Sequence, residues 1–151
     1  MIVGVDPGLG GGIACSAWVQ KMPTLASGKS KSGKVLDEPA IRKLLVGAEH
    51  VFIESVHSMP KQGVVSGFTF GTVFGILRGI CVGLEIPYTL VEPRVWQKEM
   101  LKGVNRKNTK KASVIIAKRL FPKMAEDIGT HDGKSDALLI CEFGRRQLRG
   151  K

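Results

Sequence analysis

Cysteine is scarce in this chain: Cys15, Cys81 and Cys141 stand far apart in apolar settings, with no CxxC pair among them. An odd, dispersed set argues against a disulfide framework or a zinc knuckle and points to reduced, buried thiols in an intracellular protein. Residues Met1 to Asp6 lack the basic start and long apolar stretch of a signal peptide, so no secretory leader is expected. No internal repeat is visible, and the only low-complexity stretch is the polar, basic loop 26–34. Acidic residues are also in the minority. Thirteen Asp and Glu against 23 Lys and Arg leave a net charge of +10. A surplus that large attracts polyanions, nucleic acid first and an anionic membrane second, the alternative being a basic surface that serves only solubility. At 151 residues the chain is too short for two full-sized domains, so a single domain spanning 1–151 is expected. With 43% hydrophobic residues it can build a core, which argues against disorder throughout.

One long apolar run is open to a different reading. From Val64 to Leu84 the only charge is Arg78, and the segment is long enough to span a bilayer. Gly67, Gly71, Gly75, Gly79 and Gly83 recur every fourth residue, as on the close-packing faces of membrane helix pairs. Arg78 would sit past the middle of such a span at a cost of a few kcal/mol. The reading favoured is therefore a buried helix of a soluble domain with no membrane partner, its glycine stripe allowing close contact with a sheet or a second subunit.

Hydrophobic periodicity supplies the remaining elements. Ile2 to Val5 reads as a buried strand ending in Asp6, followed by a glycine-rich turn and a second strand over Ile13 to Val19. A short amphipathic helix is expected over Glu38 to Val46, a strand over His50 to Ser55, and another over Ile86 to Val91. Pro93 opens a short helix at the favoured first-turn position. Asn108 to Leu120 reads as a basic helix and His131 to Leu148 as the last one, with arginines near its end opposing the dipole. Strands alternating with helices imply an α/β domain with a mixed sheet covered on both faces.

Where so few acids exist, their positions are informative. Asp6 and Glu54 each end an otherwise apolar strand, where a carboxylate is costly unless something pairs with it. Asp132 and Asp136 lie four apart, on one helix face, where like charges repel unless a divalent metal neutralises them. Four carboxylates without a cysteine ligand suit Mg²⁺ or Mn²⁺ better than zinc. Taken singly, each has a structural alternative: a turn cap for Asp6, a lysine partner for Glu54, helix-start stabilisation for Asp132. Together, at strand ends of an α/β domain, they mark a candidate site. Two metals roughly 3.5–4 Å apart can clamp the attacking and leaving oxygens of a phosphodiester, and the basic surroundings would bring that phosphate in.

The blocks GVDPGLGGGIA, FIESVHSMPKQGVVSGFTFG, IPYTLVEPRVWQKEM and HDGKSDALLICEFG, in this order, resemble the RuvC-like Holliday junction resolvases, most nearly the phage and chloroplast branch. The resemblance runs from Ile2 to about Gly144, apart from the basic loop. It implies an RNase H-like fold with a five-stranded mixed sheet flanked by helices. It also implies a homodimer and Mg²⁺-dependent paired nicking of four-way DNA junctions, with Mn²⁺ expected to substitute. The expected setting is a phage-infected bacterial cytoplasm or an organelle such as the chloroplast. By this resemblance Asp6, Glu54, Asp132 and Asp136 are the catalytic and metal-binding acids. One departure stands out: the bacterial pattern spaces the last two acids three apart, but Gly133 occupies that position here. Asp132 is favoured as the replacement because hard Mg²⁺ prefers oxygen; His131 is the other candidate, as ligand, proton carrier or simply helix start.

Lys102, Arg106, Lys107, Lys110, Lys111, Lys118 and Arg119 crowd one region of the sequence, either contacting phosphates or forming a solvated basic face. Lys61 and Gln62, in the loop after Glu54, are placed to read base edges. Phe68 and Phe70 could stack on bases opened at a crossover, core packing being the favoured fate of at least one. Trp96 is assigned to the core. The rival functions are a junction-binding protein without catalysis and an RNase H-like nuclease acting on other branched DNA or on RNA–DNA hybrids. A sugar-kinase-type ATPase would need a second domain for which the length leaves no room.

Overall fold

The computed structural model describes residues 1–28, 30, 33–55, 63–104 and 109–150. Five strands form the main sheet: β1 (Ile2–Asp6), β2 (Gly12–Ala14), β3 (Val19–Lys21), β6 (His50–Glu54) and β7 (Tyr88–Val91), in the order β3-β2-β1-β6-β7. The first three are antiparallel neighbours, whereas β6 lies parallel to β1 and β7 parallel to β6. The expected strand over Ile13 to Val19 is in fact two, because the chain turns between Cys15 and Trp18, where Cys15 N–H donates to the Trp18 carbonyl. Around the basic loop stand β4 (Thr24–Ala26) and β5 (Lys34–Leu36), a separate antiparallel pair that periodicity over so few residues did not reveal.

Alternation along the strands sorts the core into two layers. Val3 and Val5 of β1 and Val51 and Ile53 of β6 face α1 (Glu38–Leu45) and α2 (Val64–Gly83), packing with Ile41, Leu45, Val73, Leu77 and Cys81. Phe52 and Val91 face the other way. They meet α3 (Pro93–Met100), α4 (Thr109–Leu120), α5 (Ala125–Ile128) and α6 (Asp132–Arg149), contributing Trp96, Ile116, Ile128 and Leu138 among others. Asp37 caps α1 by accepting from the Ala40 N–H at 3.0 Å, and Pro93 starts α3 as its position suggested. A single 3₁₀ turn, Pro122–Met124, and the one-turn α5 join α4 to α6, an excursion the sequence pattern does not announce. Gly129, with φ +57°, then reverses the chain into α6 in a conformation side chains resist.

The expectation of a buried α2 is overturned. Among its described residues only Val73, Leu77 and Cys81 are fully packed, while Val64, Val65, Phe68, Phe70 and Val82 are exposed. The buried positions recur every fourth residue, and the glycines recur every fourth residue two places out of step. Two residues turn about 200° around a helix, so the glycine stripe points away from the sheet. A Cβ built on Gly67, Gly71, Gly75, Gly79 or Gly83 meets nothing within 4 Å. By length and composition α2 could cross a membrane, yet one of its faces is seated on the domain's own sheet.

Candidate active site

Strand pairing places the first two acids together. In the parallel β1–β6 ladder Val5 stands opposite Ile53, so Asp6 and Glu54, one step further, end adjacent strands at the same edge. Period-2 alternation gives both the same face: Asp6 follows Gly4, and Glu54 follows Phe52. That is the face covered by α6.

Helix α6 reaches the sheet so closely because the contact is made by glycines. A Cβ on Gly4 would come within 2.2 Å of the Ala137 carbonyl oxygen, and one on Gly144 within 2.3 Å of the Phe52 ring. At the helix start, a Cβ on Gly133 would lie 2.7 Å from the Gly10 oxygen and from Gly11, and one on Gly12 would lie 2.6 Å from the Gly133 oxygen. The β1–β2 turn is thus pressed backbone to backbone against the first turn of α6. No side chain fits at 133, which gives the missing acid at that position a steric reason. Asp132 and Asp136, flanking this contact, are carried to the Asp6–Glu54 edge.

The four carboxylates sense one another. Burial, followed by the charges of Glu54, Asp136 and Asp132, holds Asp6 well above the usual carboxylate range. Burial raises Glu54 too, against the lowering effect of a 2.9 Å hydrogen bond donated by Trp96 Nε1 to Oε1. Asp136 is pushed up to about 6, chiefly by burial, with the neighbouring acids adding to it and a Ser113 hydrogen bond opposing it. Its Oδ1 is buried and, among the described residues, has no hydrogen-bond partner. Asp132 behaves oppositely: Lys110 Nζ lies 2.7 Å from Oδ2, and that hydrogen bond holds its carboxyl below the usual range.

The chemistry of this donor set, oxygen ligands only, suits a divalent cation. Three desolvated carboxylates sit together, one with an orphaned oxygen, in the position that a cation would neutralise. As the side chains stand, and among the described residues, no three His, Cys, Asp or Glu groups converge tightly enough to grip an ion. One oxygen of each of two acids is engaged elsewhere, Glu54 Oε1 by Trp96 and Asp132 Oδ2 by Lys110.

His131 is the N-cap of α6, its Nδ1 accepting from the Lys134 N–H at 3.2 Å, so one ring nitrogen is already used in structure. Burial, with the charge of Lys21, lowers its pKa and favours the neutral ring that a cap acceptor requires. Of the expected DNA contacts, Lys102, Lys110 and Lys111 are exposed, whereas Lys61, Gln62, Arg106 and Lys107 lie outside the described residues. Phe68 and Phe70 are 77% and 42% exposed, so neither is core, contrary to the favoured fate of at least one. Both lie in the first two turns of α2, ahead of the packed positions Val73, Leu77 and Cys81.

Two contacts to the acids, from Trp96 and Ser113, escaped the sequence reading, and a third, from Lys110, was not foreseen at a residue already singled out. Trp96 is fully buried as expected, but its indole N–H also orients Glu54. Ser113, a buried polar residue of α4, serves Asp136. Lys110, read from the sequence as a candidate phosphate contact, is also an immediate neighbour of the acids. An isolated buried Ser between apolar positions was the only available signal, and it named no partner.

A scan of family models finds no match to the sequence, and a search of curated proteins finds none either. Comparison of folds is decisive where sequence is not. The chain matches the Thermus thermophilus RuvC structure with a TM-score of 0.62 at 15% identity, covering 97% of this chain and 95% of that one. It matches T. thermophilus RuvC in complex with a Holliday junction substrate with a TM-score of 0.60 at 13% identity, covering 97% and 94%. The fold is RuvC-like, an RNase H-like α/β architecture, over essentially the whole length.

Proposed function

With the RuvC fold as premise, we propose that this protein is a structure-selective endonuclease that resolves four-way DNA junctions by paired, metal-dependent nicking. The observation that carries the reading is the gathering of Asp6, Glu54, Asp132 and Asp136 at one sheet edge. They come from three separate segments and, among the described residues, leave a buried carboxylate oxygen unpartnered in a chain of charge +10.

Asp6, Glu54, Asp132 and Asp136 are the residues that would hold Mg²⁺ or Mn²⁺. A divalent ion held there would supply Lewis-acid chemistry, activating water as the nucleophile and stabilising charge on the leaving 3′-oxygen. The chain does the remaining work. Asp6 and Asp136 must shed their protons to act as ligands. Trp96 fixes the Glu54 carboxylate and Ser113 fixes that of Asp136, so two ligands are oriented before any substrate arrives. Lys110 neutralises Asp132 in the free protein and is close enough to exchange that carboxylate for a DNA phosphate. Lys102 and Lys111 extend the positive surface, which attracts the backbone without reading sequence.

Symmetric cleavage needs two sites related by a two-fold axis, and the outward face of α2 supports a homodimer. An apolar helix face with five glycines in open space allows backbones to approach closely. The three buried, unpaired cysteines fit a reducing, intracellular compartment.

The Lys110–Asp132 ion pair favours a second reading, in which lysine stands permanently in place of metal and the protein binds junctions without cutting them. A labelled four-way junction incubated with the protein and Mg²⁺, then Mn²⁺, separates the two. Paired nicks are expected; a retarded but intact junction with both ions would establish the binding-only reading, and cleavage confined to an RNA–DNA hybrid would reassign the substrate.

A further inference from the structure

Beside the acids lies a groove of about 480 Å³ whose apolar wall, Val114 and Ile115, the mechanism leaves unused. Lys110, Lys111, Val114 and Ile115 of α4 form one side, and Thr130 and Asp132 close it at the entry to α6. Ile115 is 61% exposed there, an unusual position for a large aliphatic residue on a helix whose other face is well packed. Val114 is partly buried against the core behind it and forms a firm floor. Two features set this groove apart from a merely apolar dent. Its rim carries two lysines, and its inner end is Asp132, whose carboxylate belongs to the acid cluster. For a strand with a phosphate at the acids, this groove is an adjoining surface.

We propose that the groove is a nucleotide subsite, taking one sugar and base of the DNA strand beside the phosphate to be cut. The chemistry is complementary at each point. Val114 and Ile115 offer an aliphatic surface to the face of a base or the carbons of a deoxyribose, and the lysines meet the backbone phosphate that links it to its neighbour. Thr130 offers a hydroxyl able to donate to or accept from a base edge. The volume lies within the range of small-ligand sites and suits a single nucleotide, not a duplex. Sequence preference at the cut would then arise partly here, one residue away from the reacting phosphate. The inference rests on the endonuclease reading and refines it.

The test uses the full-length Asp6→Asn protein, which should bind without cutting, and four-way junctions carrying 2-aminopurine at successive positions around the nick mapped with the wild-type protein. At one position adjacent to the nick, binding should raise the fluorescence at least twofold as the base leaves its stack. Adding Ile115→Ser, a change at an exposed position that the fold tolerates, should abolish that rise and weaken junction binding about fivefold. Should wild-type protein nick junctions while no adjacent position brightens, or should the rise survive Ile115→Ser, the subsite is refuted and the endonuclease reading stands. Should no nick form with Mg²⁺ or Mn²⁺, both fail together.

Discussion

Asp136 is held in place by geometry that costs the metal-free protein stability. Its folded pKa of about 6 exceeds that of a free carboxylate, and Asp6 and Glu54 are raised as well. Between roughly pH 4 and 6 the folded state therefore binds more protons than the unfolded one, and stability falls as pH rises through the folded values. In chelator, Tm should be higher near pH 5 than at pH 8; adding Mg²⁺ should raise Tm at pH 8 and have little effect at pH 5, where protons hold the ligands. A metal-free melt that is flat, or that rises with pH over this range, would contradict the arrangement. Asp136→Asn removes the same repulsion: at pH 8 it should stabilise the metal-free protein by about 1–3 kcal/mol, roughly 5 °C in Tm, while junction nicking is lost and binding kept. Trp96→Phe deletes the donor to Glu54, a bond worth about 1.5–3 kcal/mol to a charged acceptor. Nicking near pH 7 should fall about tenfold and the acidic limb of the pH–rate profile should move upward, whereas unchanged limbs would reduce Trp96 to packing. All four acids stood out as candidates in the sequence because acids are in the minority, Asp6 and Glu54 end apolar strands, and Asp132 and Asp136 are spaced to share one helix face. Trp96 and Ser113 did not, since a buried Trp or Ser looks the same whether or not its polar atom serves a site across the fold.

Helix α2 shows where an element's pattern is ambiguous. An almost wholly apolar segment has no polar face to mark the outside, so periodicity cannot tell which side meets the sheet. Only packing reveals that Val73, Leu77 and Cys81 face inward and the glycines outward. The dimer proposal makes opposite claims from the monomer about this stripe. On a solvent-facing helix, Gly75→Ala and Gly79→Ala should each stabilise, by up to about 1 kcal/mol, because alanine is the better helix former. At a close helix–helix seam the same changes hold the backbones apart. Light scattering after size exclusion should give twice the chain mass for the native protein and a monomer for the Gly75→Leu, Gly79→Leu double variant, with helix content preserved. A native monomer, or a double variant that stays dimeric, would remove α2 as the seam.

Taken as one body, the protein carries a cluster of acids within a chain of charge +10, and the proposed function gives the two charges separate tasks. If binding a junction engages six or more phosphates, affinity should drop by about 10³ or more between 50 and 200 mM salt. A shallow salt slope would mean that the +10 charge has little to do with DNA. The fold class and most helix limits could be read in advance, and the acids could be singled out as candidates, because strand alternation, proline and capping residues, and misplaced charge are local properties of the chain. The convergence could not. It depends on the parallel register of β1 with β6, which aligns Asp6 with Glu54. It depends equally on glycine contacts at positions 4, 12, 133 and 144, which let α6 descend onto the sheet until Asp132 and Asp136 reach them. Those contacts join residues more than a hundred positions apart, and no local pattern encodes a distance of closest approach; it is fixed only when two backbones meet with no side chain between them.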